Sequence, residues 1–246
     1  MILQQLYSYV RRAIDDYHMI EPGDQIAVGI SGGKDSLTLL YALAGLQKFY
    51  PAHFGLTAVT VDLGLPQTDY EPVQVLCEQL HAAYHIVPTQ IAEIVFRERK
   101  ETSPCSLCAK MRKGALNTRA LELGCNKIAY AHHMDDMIET MFLSLIYEGR
   151  FYSFSPVTHL EDTGLTVIRP LMYVPEANVI GFQHKYELPV VPSTCPADGT
   201  TRRDYVKKLV RSINQENPGA KKRIFHAMIN GKIEGWPKNE KKSNLS

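Results

Sequence analysis

Residues 26–40 read IAVGISGGKDSLTLL, and their interpretation decides the fold. An apolar, β-branched run meets Ser31-Gly32-Gly33-Lys34-Asp35-Ser36 and then a helical pattern, so a strand feeds a glycine loop that opens a helix. Such a loop is built to hold phosphate. Gly32 and Gly33 permit backbone conformations and close approaches that a Cβ would block, and the N–H groups of the following helix N-terminus point at phosphate oxygens. Lys34 adds a mobile positive charge. The loop is not a Walker A sequence, which needs four residues between its glycines, whereas here the glycines are adjacent.

With 246 residues and 45% hydrophobic content, the chain can bury a full core as a single α/β domain. The expected division is an N-terminal helix over 1–20, a nucleotide-binding body over 21–230, and a polar, disordered tail over 231–246. No apolar run reaches the roughly 18 residues of a membrane span. The N-terminal stretch lacks the basic start and continuous apolar middle of a signal peptide, so a cytoplasmic enzyme without membrane partners is expected. Five cysteines in such a chain argue against a disulfide framework and turn attention to metal or redox chemistry.

Alternating strand and helix patterns follow the glycine loop. The spacing predicts strands at 26–30, 55–61, 84–87 and 126–131, with helices over 36–47, 70–83, 90–98, 109–123 and 135–147 and a cysteine loop before 109. That order implies an α/β, Rossmann-like parallel sheet with helices on both faces and helical additions at both ends. An amphipathic helix over 3–17 and helices near 176–186, 202–215 and 220–230 supply the additions; an irregular stretch with a short strand fills 151–174. Ligands in such sheets bind beyond the carboxyl ends of the strands, so Ser31, Asp62 and His132 are expected to converge there.

A second motif, Ala131-His132-His133-Met134-Asp135-Asp136, places two carboxylates at a strand-to-helix junction. Acidic residues there either cap the helix or, near phosphates, serve as Mg²⁺ ligands or polar activators. Cys105 and Cys108 form a CxxC, which by itself is ambiguous between a redox pair, half a zinc site and iron-sulfur ligands. Cys195, in a proline-bounded loop, is the natural third ligand. Cys77 and Cys125 read as core residues.

SGGKDS resembles the PP-loop of the adenylating ATP pyrophosphatases, and AHHMDD resembles the GHxxDD signature of their tRNA-modifying members. Together with the CxxC, Ile168-Arg169-Pro170-Leu171 and Cys195 before a basic helix, these motifs closely resemble the tRNA 2-thiocytidine synthetases in order over roughly residues 20–230. The resemblance implies ATP cleaved to AMP and pyrophosphate, a 4Fe-4S cluster on Cys105, Cys108 and Cys195, and catalytic roles for these cysteines, Lys34 and Asp136. It places Gly29, Ser31, Gly32, Gly33, Lys34, Asp35 and Ser36 around the nucleotide, Val61 and Ala131 near it, and Arg112 between cluster and phosphates. Ala131 departs from the family's glycine. Asp198 replaces a cysteine found in some members; it either ligates the fourth iron or makes an Asx-turn, and the turn is the expected role.

Between positions 199 and 223 eight Lys/Arg stand against two acidic residues, in a chain of net charge +1. On the predicted helix Arg203, Lys207, Lys208 and Arg211 form a basic stripe with few acidic neighbours in sequence, expected to meet RNA phosphates. The expected activity is ATP-dependent thiolation of a tRNA cytidine, with Mg²⁺, a sulfur donor such as a cysteine desulfurase or free sulfide, and a homodimeric assembly. Two alternatives stay open: thiolation of a tRNA uridine, and a Zn²⁺-stabilised nucleotide-binding protein without turnover.

Overall fold

The computed structural model describes residues 1–66, 68–99, 104–192, 194–196, 202–231 and 236. The strand at the head of the glycine loop, β1 (Gln25–Ile30), lies inside the sheet. Ile26, Val28 and Ile30 turn to one hydrophobic core and Ala27 to another on the opposite face, so the run is apolar throughout because both faces are covered. Beside it lie β2 (Gly55–Asp62), then β3 (Ala83–Pro88) on one side, and β4 (Lys127–Ala129), β6 (Thr166–Ile168) and β5 (Val157–His159) on the other, in the order β3-β2-β1-β4-β6-β5. All neighbours pair parallel except β5 with β6. The single short strand expected in 151–174 is thus an antiparallel hairpin at the sheet edge.

The first core is covered by helices α1 (Leu3–Asp16), α2 (Lys34–Leu46), α3 (Glu71–Gln79), α6 (Met134–Glu148), α7 (Glu176–Lys185), α8 (Arg202–Glu216) and α9 (Ala220–Asn230). The opposite face carries α4 (Ile91–Glu93), which continues as a π-helical turn over Ile94–Glu98, and α5 (Pro104–Glu122). Cys105 and Cys108 belong to α5, so the expected cysteine loop is instead helix. The physical reason is a stripe through Leu107, Cys108, Met111, Ala115 and Leu116 that packs on the second core and extends the helical period upstream of 109. Cys77 and Cys125 are buried in the two cores, as their apolar neighbours indicated.

At the amino edge of the sheet a buried ion pair ties three segments together. Lys127 Nζ lies 2.7 Å from Asp24 Oδ2 and donates to the Met19 carbonyl at 3.1 Å, while Asn126 Nδ2 and the Glu21 N–H also donate to Asp24. Burial alone would raise the Asp24 pKa, but these donors outweigh it and hold the carboxyl below its ordinary value. The pair is fully hydrogen-bonded, so removing one partner strands the other. Asp24→Ala should cost about 3–5 kcal/mol in urea unfolding. Because the native pKa is depressed, the stability Asp24 contributes is present above the usual carboxylate range and is lost as pH falls through its native pKa.

Candidate active site

Beyond the carboxyl ends of β1 and β2 opens a cavity of about 380 Å³. Ser31 and Gly33 come to it from the glycine loop, and Val61 and Asp62 from the end of β2. Cys105, Cys108 and Arg112 reach it from α5, and Cys195 from the loop after α7. The fold therefore brings nucleotide-loop residues and all three candidate ligand cysteines to one space. Gly29, Gly32, Lys34, Asp35, Ser36, Asp136 and Ala131 do not line it.

The loop is rigid by construction. Ser36 Oγ donates to the Gly33 carbonyl at 2.9 Å and accepts from the Ser31 N–H at 3.2 Å, and the Gly33 N–H donates to Ser31 Oγ at 3.3 Å. Gly32 adopts φ +80°, and a Cβ there would come within 2.9 Å of Val191 Cβ. Val191 donates its N–H to the Gly32 carbonyl at 3.0 Å, so the segment leading to Cys195 is fastened to the phosphate loop. Gly29 serves packing: a Cβ would meet Leu116 of α5 at 3.0 Å.

Burial raises the Cys108 thiol, Arg112 opposes that shift, and the neighbouring Cys195 and Cys105 add to it. Among the described residues no three His, Cys, Asp or Glu side chains are gathered into a ready-made site for one metal ion. The three thiols share the cavity with a guanidinium and no imidazole. That donor set is soft and anionic once deprotonated, and it fits an iron-sulfur cluster. Burial pushes the Cys77 thiol to about 11, as suits an inert core residue. Asp198 and the tail after 236 fall outside the described residues.

Behind the loop, a layer of ion pairs joins α2, α6 and α7 to α8 and α9. His133 and Asp136 cap α6 reciprocally: the Asp136 N–H donates to His133 Nδ1 at 3.2 Å, and the His133 N–H donates to Asp136 Oδ2 at 3.0 Å. Asp136 thus holds the capping role that a carboxylate at this junction can always take. Asp35 Oδ1 is buried without a hydrogen-bond partner, and His133 Nε2 stands 3.6 Å away. Asp135 accepts from Lys221 Nζ at 2.6 Å and from the Glu176 N–H at 2.7 Å. Glu176 Oε1 lies 2.7 Å from Lys207 Nζ and 3.4 Å from Lys34 Nζ. Burial would raise Glu176, but Lys207 and Lys34 outweigh it and keep its pKa below normal.

These contacts correct the premise behind the basic stripe. Arg203 lies 3.8 Å from Asp136 and 3.6 Å from Glu139, and Lys207 pairs with Glu176, so acidic partners exist but are supplied by α6 and α7. Lys208 and Arg211 remain exposed. His132 also departs from expectation. It stacks on Phe154 with ring centroids 4.1 Å apart and accepts from Arg169 Nε at 3.2 Å, outside the cavity. Burial, with Arg169, Arg203 and His133 adding to it, lowers its pKa to about 3, so it is neutral. Sequence reasoning missed Glu176 and Val191, because each acts on a partner far away in the chain.

Comparison with known proteins gives three results. A family described as the PP-loop domain matches residues 5–213. The tRNA-cytidine(32) 2-sulfurtransferase of Geobacter sulfurreducens is 38% identical over 230 residues, covering 92% of this chain and 90% of the relative. That of Geotalea uraniireducens is 38% identical over 93% of this chain and 92% of its own. Among solved structures, the U34-tRNA thiolase NcsA from Methanococcus maripaludis with its 4Fe-4S cluster superposes with a TM-score of 0.77 at 25% identity, over 92% of this chain and 76% of that one. An NH3-dependent NAD synthetase from Campylobacter jejuni shares the fold, with a TM-score of 0.53 at 12% identity over 93% of each chain.

The charged layer generates a pH prediction. Burial and the adjacent Asp136 lift Glu139 to about 7, although Arg203 and Lys207 pull it down. A raised carboxyl pKa means that the native state binds the proton more tightly than the unfolded chain. Stability from this source is complete below the unfolded pKa and is lost as pH rises through about 7. Glu139→Gln should therefore gain on the order of 2 kcal/mol over the parent at pH 8, with the gap closing toward pH 5. Denaturant melts across that range measure it, and a pH-independent gap contradicts the assignment.

Proposed function

Because this chain belongs to the tRNA-cytidine(32) 2-sulfurtransferase family of PP-loop proteins, we propose that it is an ATP-dependent enzyme that replaces O2 of a tRNA cytidine, the one at position 32, with sulfur. One observation carries this reading: the phosphate loop and Cys105, Cys108 and Cys195 open onto a single cavity. An adenylating site without thiols would need no such convergence. A thiol site remote from the loop could not act on the adenylated base.

In this reading the N–H groups opening α2 face the β and γ phosphates of ATP, and Lys34 turns from Asp35 and Glu176 onto them. Val61 packs by the adenine, and Arg112 stands between the thiols and the phosphates. Asp136 would help hold Mg²⁺, which would supply positive charge to the phosphates as pyrophosphate leaves. The cytidine O2 attacks the α phosphorus, the bond to the β phosphate oxygen breaks, and pyrophosphate leaves. Hydrosulfide then attacks C2 and loses its proton, and the C2–O bond breaks to release AMP. A 4Fe-4S cluster held by Cys105, Cys108 and Cys195 would keep one iron free of protein thiolate, supplying a place for an incoming sulfur. Free sulfide provides that sulfur directly, or a cysteine desulfurase provides it as a persulfide that an external thiol reduces to sulfide with formation of a disulfide, and the enzyme works as a cytoplasmic homodimer. On α8, Lys208 and Arg211 meet tRNA phosphates at the exposed front, while Arg203 and Lys207, engaged by the acids of α6 and α7, hold the helix in place for that contact.

Two measurements test the proposal. Nucleosides of tRNA from a strain lacking the gene should lose 2-thiocytidine relative to the parent by mass spectrometry. Loss of a 2-thiouridine instead would move the target to uridine, and no change would remove tRNA thiolation altogether. Anaerobically purified protein should absorb broadly near about 400 nm, and Cys195→Ala should abolish both colour and thiolation while leaving the thermal midpoint nearly unchanged. Colourless, zinc-loaded protein or retained thiolation would remove the cluster from the reaction.

A further inference from the structure

The exposed side of α8 carries an aromatic ring among its cations. Tyr205 is 57% exposed, one turn after Arg202 and one turn before Lys208, with Arg211 further along the same helix. On the neighbouring helix, Tyr147 near the end of α6 is 43% exposed, and the Arg202 guanidinium lies 4.8 Å from its ring centroid. The next residue, Arg203, donates to Thr140 Oγ1 at 3.3 Å and approaches Asp136 and Glu139. Tyr147 therefore stands about 3.6 turns of α6, or roughly 20 Å, from the opening of that helix beside the phosphate loop, with the cations of α8 alongside.

Water gives an exposed tyrosine ring no compensation for its apolar faces, and a ridge of like charges is stabilised when an anion covers it. Unpaired RNA supplies both partners at once: its bases stack on aromatic rings and guanidinium planes, and its phosphates meet the cations. A duplex offers only the phosphates, because its base faces are stacked within the helix. We propose that Tyr147 and Tyr205, with Arg202 against the first ring, form a stacking platform for unpaired bases of the RNA loop that carries the target nucleotide. This inference rests on the tRNA reading above and adds how the enzyme tells a loop from a stem.

The test compares binding of a short anticodon stem-loop RNA with binding of a fully paired duplex, by fluorescence anisotropy at several salt concentrations. Wild type should prefer the stem-loop. Tyr147→Ala with Tyr205→Ala should weaken stem-loop binding by about tenfold or more and leave duplex binding and the salt slope unchanged, since stacking releases no counterions. Tyr205→Phe, which keeps the ring, should bind as wild type does. Because both rings are exposed, the thermal midpoint should not move. Equal losses on both RNAs, or no loss, would overturn the platform. So would a change of oligomeric state in the tyrosine variants, which would make this face a contact between two copies of the chain. Wild type that binds neither RNA would instead overturn the tRNA reading, and the platform with it.

Discussion

One backbone hydrogen bond, from the Val191 N–H to the Gly32 carbonyl, holds together the two halves of the cavity. It forms because Gly32 takes a left-handed conformation and has no Cβ to push Val191 away. On one side of that contact stands the helix opening that can face phosphate; on the other, the segment bearing Cys195. Glycine-loop residues and three thiols are thereby kept around one small volume. The glycine conformation that shapes the loop also permits this join, so any side chain at position 32 would disturb both.

The charged layer behind the loop explains how so many ionisable groups persist near one another. Glu176 sits between Lys34 and Lys207, and Asp135 between Lys221 and the start of α7. Glu176 and Asp135 are each matched by a cation from another helix, and the C-terminal helices are fastened to the body through these pairs as well as through Val206, Val210, Phe225 and Met228 in the core. Pairs of this kind contribute modestly to stability. Their larger effect is orientation, because they fix which cations of α8 face inward and which face solvent.

The strand-loop-helix at 26–40 was legible in the sequence because its signals are local: an apolar run, two glycines and a change of period. The alternation that follows was legible for the same reason, as were Cys77 and Cys125 among apolar neighbours. Cys105 and Cys108 were read as loop because the helical stripe that carries them begins with small and polar residues, and only the packing of Leu107, Cys108 and Met111 on the second core reveals the face. The partners of Arg203 and Lys207, the stacking of His132 on Phe154 and the fastening of Val191 all join residues distant in the chain. No spacing rule reports such pairs. The exposed rings of Tyr147 and Tyr205 escaped notice for a related reason, since a tyrosine on a helix reads as core until its accessibility is known.

The order of these segments along the chain has a consequence for how the protein is made. Cys105 and Cys108 ride on α5, whereas Cys195 arrives about 90 residues later, a delay of roughly 4 to 18 seconds at about 5–20 residues per second of synthesis. During that interval α5 can already pack on β1 and β2, but Val191 is not yet there to meet Gly32. Whatever the three thiols grip, they can grip together only once the second half of the chain has folded back across the first. Completion of the cysteine-lined part of the cavity is therefore a late event in the life of the nascent chain, downstream of the glycine loop by most of the protein's length.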